Sequence, residues 1–199
     1  MAELMIGQTL AFAGNPLLEG PGVARHSARG GVLIDAGRII AVGEADDLRR
    51  THPQAHVTDY GAGLISAGFV DAHLHYPQTA IIASWGKRLI DWLNTYTFPE
   101  EMRFADPAYA AEVAGRYFDL ALAHGTTSMC SYTTIHPESV DAFFSAAQAR
   151  GMRAWAGKTC MDRNAPEGLC DTAQSAHDDS ARLLSKWHGV DRLSYVITP

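Results

Sequence analysis

Basic residues are scarce in this sequence. Sixteen Lys and Arg stand against 22 Asp and Glu, a formal net charge of −6, and no basic cluster stands out. Proteins that grip nucleic-acid phosphates or an anionic membrane surface need such a cluster, so neither partner is expected. Cysteine is equally sparse. Cys130, Cys160 and Cys170 are odd in number and lack CxxC spacing, which excludes a disulfide framework and a cysteine zinc site. Nowhere does the chain approach the ~18 consecutive apolar residues of a membrane helix. The opening MAELMIGQTLAFAG places an acid, not basic residues, before a short broken apolar run, unlike a secretory signal. A cytoplasmic location is the resulting expectation. With 47% hydrophobic and 19% charged residues, the composition is that of a folded globular chain.

The first sixty-odd residues and the remainder differ in texture. Early on, short apolar stretches such as Val32–Ile34 and Ile39–Val42 alternate with turn residues, and VLIDAGRIIAVG reads as two strands around a tight Ala36-Gly37 turn. Small antiparallel β structure is expected there. From Leu64 the pattern becomes strand, helix, strand, helix. LISAGFVDAHLH is the first strand candidate. Asp106, Pro107 and Gly125 bracket the clearest helix as cap, first residue and stop. GTTSMCSYTT, MRAWAGKTCM and RLSYVIT supply further strands, with a helix from Pro137 to Gly151 and another, opened by Asp171 with Gln174 as a capping box, up to Gly189. Four strands joined by crossover helices mean a parallel sheet.

Chemistry concentrates in Gly68-Phe69-Val70-Asp71-Ala72-His73-Leu74-His75. In a regular strand Phe69, Asp71, His73 and His75 share one face, and Val70, Ala72 and Leu74 face covering helices. Two imidazoles at i and i+2 can converge on one cation, and imidazole is a preferred zinc ligand. Two histidines hydrogen-bonded near a strand end is the plainer alternative, which a bare HxH does not exclude. Position favours the metal, because functional residues gather at the C-terminal ends of parallel strands.

LISAGFVDAHLH resembles the first barrel strand of the amidohydrolase superfamily, commonly L-I-x-P-G-F-V-D-x-H-x-H, with Ala67 where that family usually has Pro. HYPQT (75–79), LIDWLNTYTFPEE (89–101), GKTCMDRNAP (157–166) and YVITP (195–199) narrow the resemblance to the guanine deaminases, in order from Leu64 to Pro199. It implies an α/β fold, the first half of a metal-dependent (β/α)8 TIM-type barrel. Residues 67–199 would supply its first four βα units, and residues 1–66 part of a small β-sandwich before it. It also implies one Zn2+ ion on His73 and His75, and a purine site along His75, Tyr76, Pro77 and Gln78. The Gln78 carboxamide, donor and acceptor at once, suits a base edge. The implied reaction is hydrolytic deamination of guanine to xanthine and ammonia by a zinc-activated water. A homodimer is expected for the full-length enzyme.

A (β/α)8 barrel takes ~250 residues, and catalytic zinc usually has three protein ligands. Four strands and two ligands are identifiable here. The proton shuttle and other ligands are therefore expected on later strands, and the chain is expected to be truncated and inactive alone. Two alternatives stay open: another amidohydrolase, such as a different deaminase or cyclic amidase, and a non-catalytic half-barrel used for binding or assembly. Trp85 and Trp92, seven apart, read as the apolar stripe of a helix rather than a stacking platform. Lys158 on the third strand could be the carbamylated bridge of two-metal relatives, although the surrounding motifs argue against it. Cys130 and Cys160 read as packing residues, and His124 and His188 as structural histidines at helix ends.

Overall fold

The computed structural model describes residues 1–86 and 88–198, and the chain divides into two units, Met1–Ala67 and Gly68–Pro199. In the first unit, β1 (Glu3–Phe12), β2 (Ala24–Asp35), β3 (Arg38–Glu44) and β4 (His56–Ser66) form one sheet in the order β3-β2-β1-β4. Helix α1 (Pro16–Glu19) lies between β1 and β2, and α2 (Ala45–Thr51) between β3 and β4. Ala36 and Gly37 both take positive φ, 47° and 72°, the turn whose twist matches a two-residue hairpin. The hairpins are as the turn residues indicate. The β1–β4 pair is not, because it runs parallel, from Glu3 opposite His56 to Leu10 opposite Ser66. The sheet is therefore mixed. Turn chemistry reveals neighbouring strands, whereas this pair is joined through two intervening strands and α2. Leu4, Ile6, Leu33, Ala45 and Leu48 make a small buried core.

The second unit is built from β5 (Phe69–His75), a 3-10 turn (Tyr76–Ile81), helices α3 (Leu89–Trp92) and α4 (Phe98–Met102) joined by a π-helical segment (Leu93–Thr97), α5 (Pro107–Ala123), β6 (Thr126–Tyr132), α6 (Pro137–Ala149), β7 (Arg153–Gly157), α7 (Ala173–Trp187) and β8 (Leu193–Tyr195). The strands are parallel and in chain order, β5-β6-β7-β8, as successive crossovers of one hand lay them down. LISAGFVDAHLH is not one strand. Leu64–Ser66 ends β4, and β5 starts at Phe69. Between them Gly68 meets Thr127 so closely that a Cβ would lie 2.1 Å from its Oγ1. Gly157 closes β7 for a similar reason, since a Cβ there would sit 1.9 Å from the Val196 carbonyl oxygen.

Asp106 caps α5 by accepting from the Ala108 N–H at 2.9 Å, and Gly125 leaves the helix at φ 82°. The cap of α7 is Thr172 with Ser175, one residue on from the expected Asp171 with Gln174. Asp171 has another partner, described below. Trp85 lies outside any helix and is exposed; α3 begins only at Leu89, so the two tryptophans share no stripe. The Trp92 indole instead donates to Ser84 Oγ at 2.8 Å. One core spans sheet and helices, with Tyr76, Phe104, Phe118, Phe143, Phe144 and Trp187 at its centre. Each buried ring contributes roughly 1.5–3 kcal/mol against leaving it exposed.

Candidate active site

His73 and His75 stand at the C-terminal end of β5, with ring centroids 5.4 Å apart and planes inclined at 70°. Tyr132, at the end of β6 and paired with His75 across the sheet, stacks on His75 at 4.8 Å and meets His73 edge-on at 5.5 Å. The three rings occupy one side of the sheet. Burial holds the His75 pKa below the usual imidazole value, and the neighbouring His73 adds to that. A neutral imidazole is the form that binds a cation.

Asp71 does not share this side. Between Asp71 and Leu74 the β5–β6 register slips by one residue, so Asp71 stands opposite Met129 and Leu74 opposite Ser131. Met129 is buried in the core, and the Asp71 charge reaches Tyr117 on α5, whose pKa is raised first by burial and then by that carboxylate. A bulge of one residue thus breaks the alternation expected of a regular strand. Asp71 accepts the His73 backbone N–H at 3.2 Å, bracing the bulge from within.

After β5 the chain turns sharply through Tyr76–Ile81. Tyr76 is fully buried, donates its hydroxyl to the Ser139 carbonyl at 2.6 Å and its N–H to Ser131 Oγ at 3.2 Å. Pro77 is buried beside it. These contacts place the Tyr76 ring in the core. Gln78 is half-buried, and its Nε2 donates to Glu101 Oε1 on α4 at 3.4 Å. An open pocket of about 390 Å³ is lined by His75, Gln78, Trp92 and apolar neighbours including Leu74 and Ile81. Glu101, 6% exposed, is a carboxyl group that sequence reasoning overlooked. Burial raises its pKa to about 7, against a smaller opposing effect of the Gln78 hydrogen bond. Tyr132 was also missed. Its place at a strand end in the hydroxyl-rich second barrel strand was the available signal.

Lys158 has a carboxylate partner of its own. Its fully buried Nζ lies 2.5 Å from Asp171 Oδ2 and 3.3 Å from the Thr159 carbonyl, an ion pair that fastens β7 to the segment before α7. The three cysteines are unpaired, Cys130 and Cys160 half-buried and Cys170 exposed. Among the described residues no group of three or more His, Cys, Asp or Glu could hold a metal ion, so His73 and His75 form a two-donor set. Two imidazoles on adjacent inward positions fit two of the three protein ligands of a catalytic zinc. No helix among the described residues is long and apolar enough to cross a membrane.

Residues 64–191 match the amidohydrolase family, and residues 30–55 an imidazolonepropionase-like composite domain of bacteria. The chain belongs to the amidohydrolase family. Metal use is a property of that family, and the parallel half-sheet with its helices is part of the amidohydrolase barrel. This amidohydrolase chain is 44% identical over 169 residues to guanine deaminase of Escherichia coli, covering 84% of the chain and 38% of that relative. Its backbone superposes on the solved E. coli guanine deaminase with a TM-score of 0.94 at 40% identity, covering 99% of this chain and 46% of the other. Guanine deaminase of C. acetobutylicum, solved with guanine in its active site, gives a TM-score of 0.89 at 25% identity, covering 100% of this chain and 46% of the other. The chain therefore spans less than half the length of the relatives it matches.

Proposed function

We propose that this amidohydrolase chain is the zinc-holding, base-binding first half of a guanine deaminase. The observation that carries the reading is the convergence of His73 and His75 at a parallel strand's end, one turn of chain from the Gln78 amide. Support comes from the likeness to guanine deaminases over nearly the whole chain. In this reading residues 1–66 are part of a small β-sandwich and 67–199 the first four βα units of the barrel. A single zinc ion, held by His73 and His75, would supply an activated water at neutral pH, the pKa of bound water falling to about 7. Gln78 binds the purine edge, offering its amide carbonyl to the N–H groups of the base. His75 lies beside that edge. Tyr76 and Pro77 are the buried footing of the turn that presents Gln78. Tyr132 holds the His75 ring in place and shields it from water. The proton shuttle and further ligands belong to later strands.

A small purine, rather than nucleic acid or a membrane, is the partner in keeping with the net charge of −6. Three unpaired cysteines fit a reducing cytoplasm, and the homodimeric assembly carries over from the resemblance. The test begins with the coding sequence beyond Pro199. The protein it specifies, produced with zinc, is given guanine, and xanthine and ammonia are followed. Release of both, with the guanine KM raised at least about tenfold in Gln78→Ala, supports the reading. A zinc-loaded protein that leaves guanine intact but opens a cyclic amide favours the other amidohydrolase reading.

A further inference from the structure

Gln78 does not point its amide freely. Its Nε2 donates to the Glu101 carboxyl at 3.4 Å, while Glu100, the next residue, is taken up elsewhere, accepting from Arg103 at 3.0 Å and from the Tyr109 hydroxyl. Glu101 is sealed by packing and its side chain has Gln78 as its hydrogen-bond partner. Once ionised, above about pH 7, the Glu101 carboxylate only accepts and so engages the NH2 end of the amide. The carbonyl end of Gln78 is then left for whatever lies in the site. We propose that Glu101 is a specificity-determining positioning residue, which sets the orientation of the Gln78 amide and so makes the site accept a ligand edge that carries N–H donors. The inference rests on the reading of Gln78 as the base contact.

The physical argument is one of polarity. An unrestrained glutamine presents either end with nearly equal ease, and so reads a donor edge and an acceptor edge alike. A buried carboxylate, acceptor-only when ionised, removes that ambiguity. A ligand presenting acceptors where guanine has N1–H and the exocyclic amine would leave the Gln78 carbonyl unpaired, and unpaired buried polar groups are strongly disfavoured. The segments packed against α4 bring Tyr76, Tyr96, Arg103 and Glu167 as titratable groups, and none of them alters Glu101; burial and the Gln78 bond do.

The experiment uses Glu101→Ala, Glu101→Gln, Gln78→Ala and the Gln78→Ala/Glu101→Ala pair in the guanine-hydrolysing protein. Glu101→Ala is expected to raise the guanine KM about tenfold with kcat within about threefold. Glu101→Gln, which keeps an acceptor but adds a donor that lets the Gln78 amide sit either way round, recovers only part of the loss. In the Gln78→Ala background, Glu101→Ala costs nothing further, because Glu101 acts only through Gln78. An equal loss in both backgrounds, or a fall in kcat with KM unchanged, overturns the proposal. A ligand-free measurement separates it from the guanine reading. In 15N-labelled protein the Gln78 side-chain NH2 signals, identified by their absence in Gln78→Ala, shift with pH around 7 and cease to do so in Glu101→Gln. A shift that persists in Glu101→Gln overturns the pairing whether or not guanine is the substrate.

Discussion

At position 101 a carboxyl group has been buried with one amide for company, and the cost of doing so is readable in stability. Its pKa rises from 4.5 to about 7, so the folded state holds the proton more tightly than the unfolded chain does. The sign follows directly. Folding gains from this group below about pH 4.5, loses that gain as pH climbs towards 7, and stays at the lower level above it. Glu101→Gln is neutral throughout and escapes the loss. Its stability advantage over the parent is therefore expected to grow between pH 4.5 and 7, reaching at most about 3 kcal/mol. Urea denaturation at pH 5 and pH 8 checks this, and an advantage of equal size at both would show that Glu101 does not titrate in that window. At this scale the sequence was legible where a residue belongs to a short motif. The pair of histidines and Gln78 stood out by spacing and resemblance. Glu101, although it closes the TFPEE stretch, and Tyr132 did not, because what gives them meaning is a neighbour over twenty positions away in one case and across the sheet in the other.

Among the elements, helices were easier to delimit than strands. Asp106-Pro107 and Gly125 mark the limits of α5 through backbone chemistry that acts within a few residues, and the helix lies where they put it. The third barrel strand and the start of α7 were harder, since Asp171 looked like a cap and is in fact the partner of Lys158. The ion pair is buried, with side-chain exposures of 0% and 9%. Removing one member strands the other, at about 3–5 kcal/mol, whereas removing both costs much less. Lys158→Met should therefore lower stability by that amount, and Lys158→Met/Asp171→Leu should recover most of it. Chemical denaturation of the three proteins decides, and an additive double variant would mean that the two side chains are not energetically coupled. Likewise β5 begins later than its apolar run, because Gly68 is pressed against Thr127 rather than because the pattern changes.

For the molecule as a whole, alternation of strands and helices sufficed to read a parallel sheet and its order. It could not reveal that β1 pairs with β4 in parallel, a contact that no local signal encodes. The donor count has a thermodynamic consequence. Structural zinc sites with four ligands bind with about 10–16 kcal/mol, so two imidazoles alone are expected to give a Kd of roughly 0.1 mM. Calorimetric titration of zinc into the 199-residue chain should find that weak site, lose it in His73→Ala, and show no change in thermal unfolding on adding a chelator. A submicromolar 1:1 site would mean that this chain already contains a third ligand.

The bulge in β5 bears on how such a strand can change over generations. In a regular strand the loss of one codon turns every later side chain over, exchanging core for cavity, and is seldom survived. Here one residue between Asp71 and Leu74 is surplus to the ladder. Dropping Ala72 would leave His73 and His75 on the side of Tyr132, and Asp71 and Leu74 on the side of the helices, in plain alternation. What such a loss would remove is the Asp71 bond to the His73 N–H, which the extra residue between them makes possible. The spacing from Asp71 to His73 should therefore stay fixed among descendants, and changes of length should collect outside the strand.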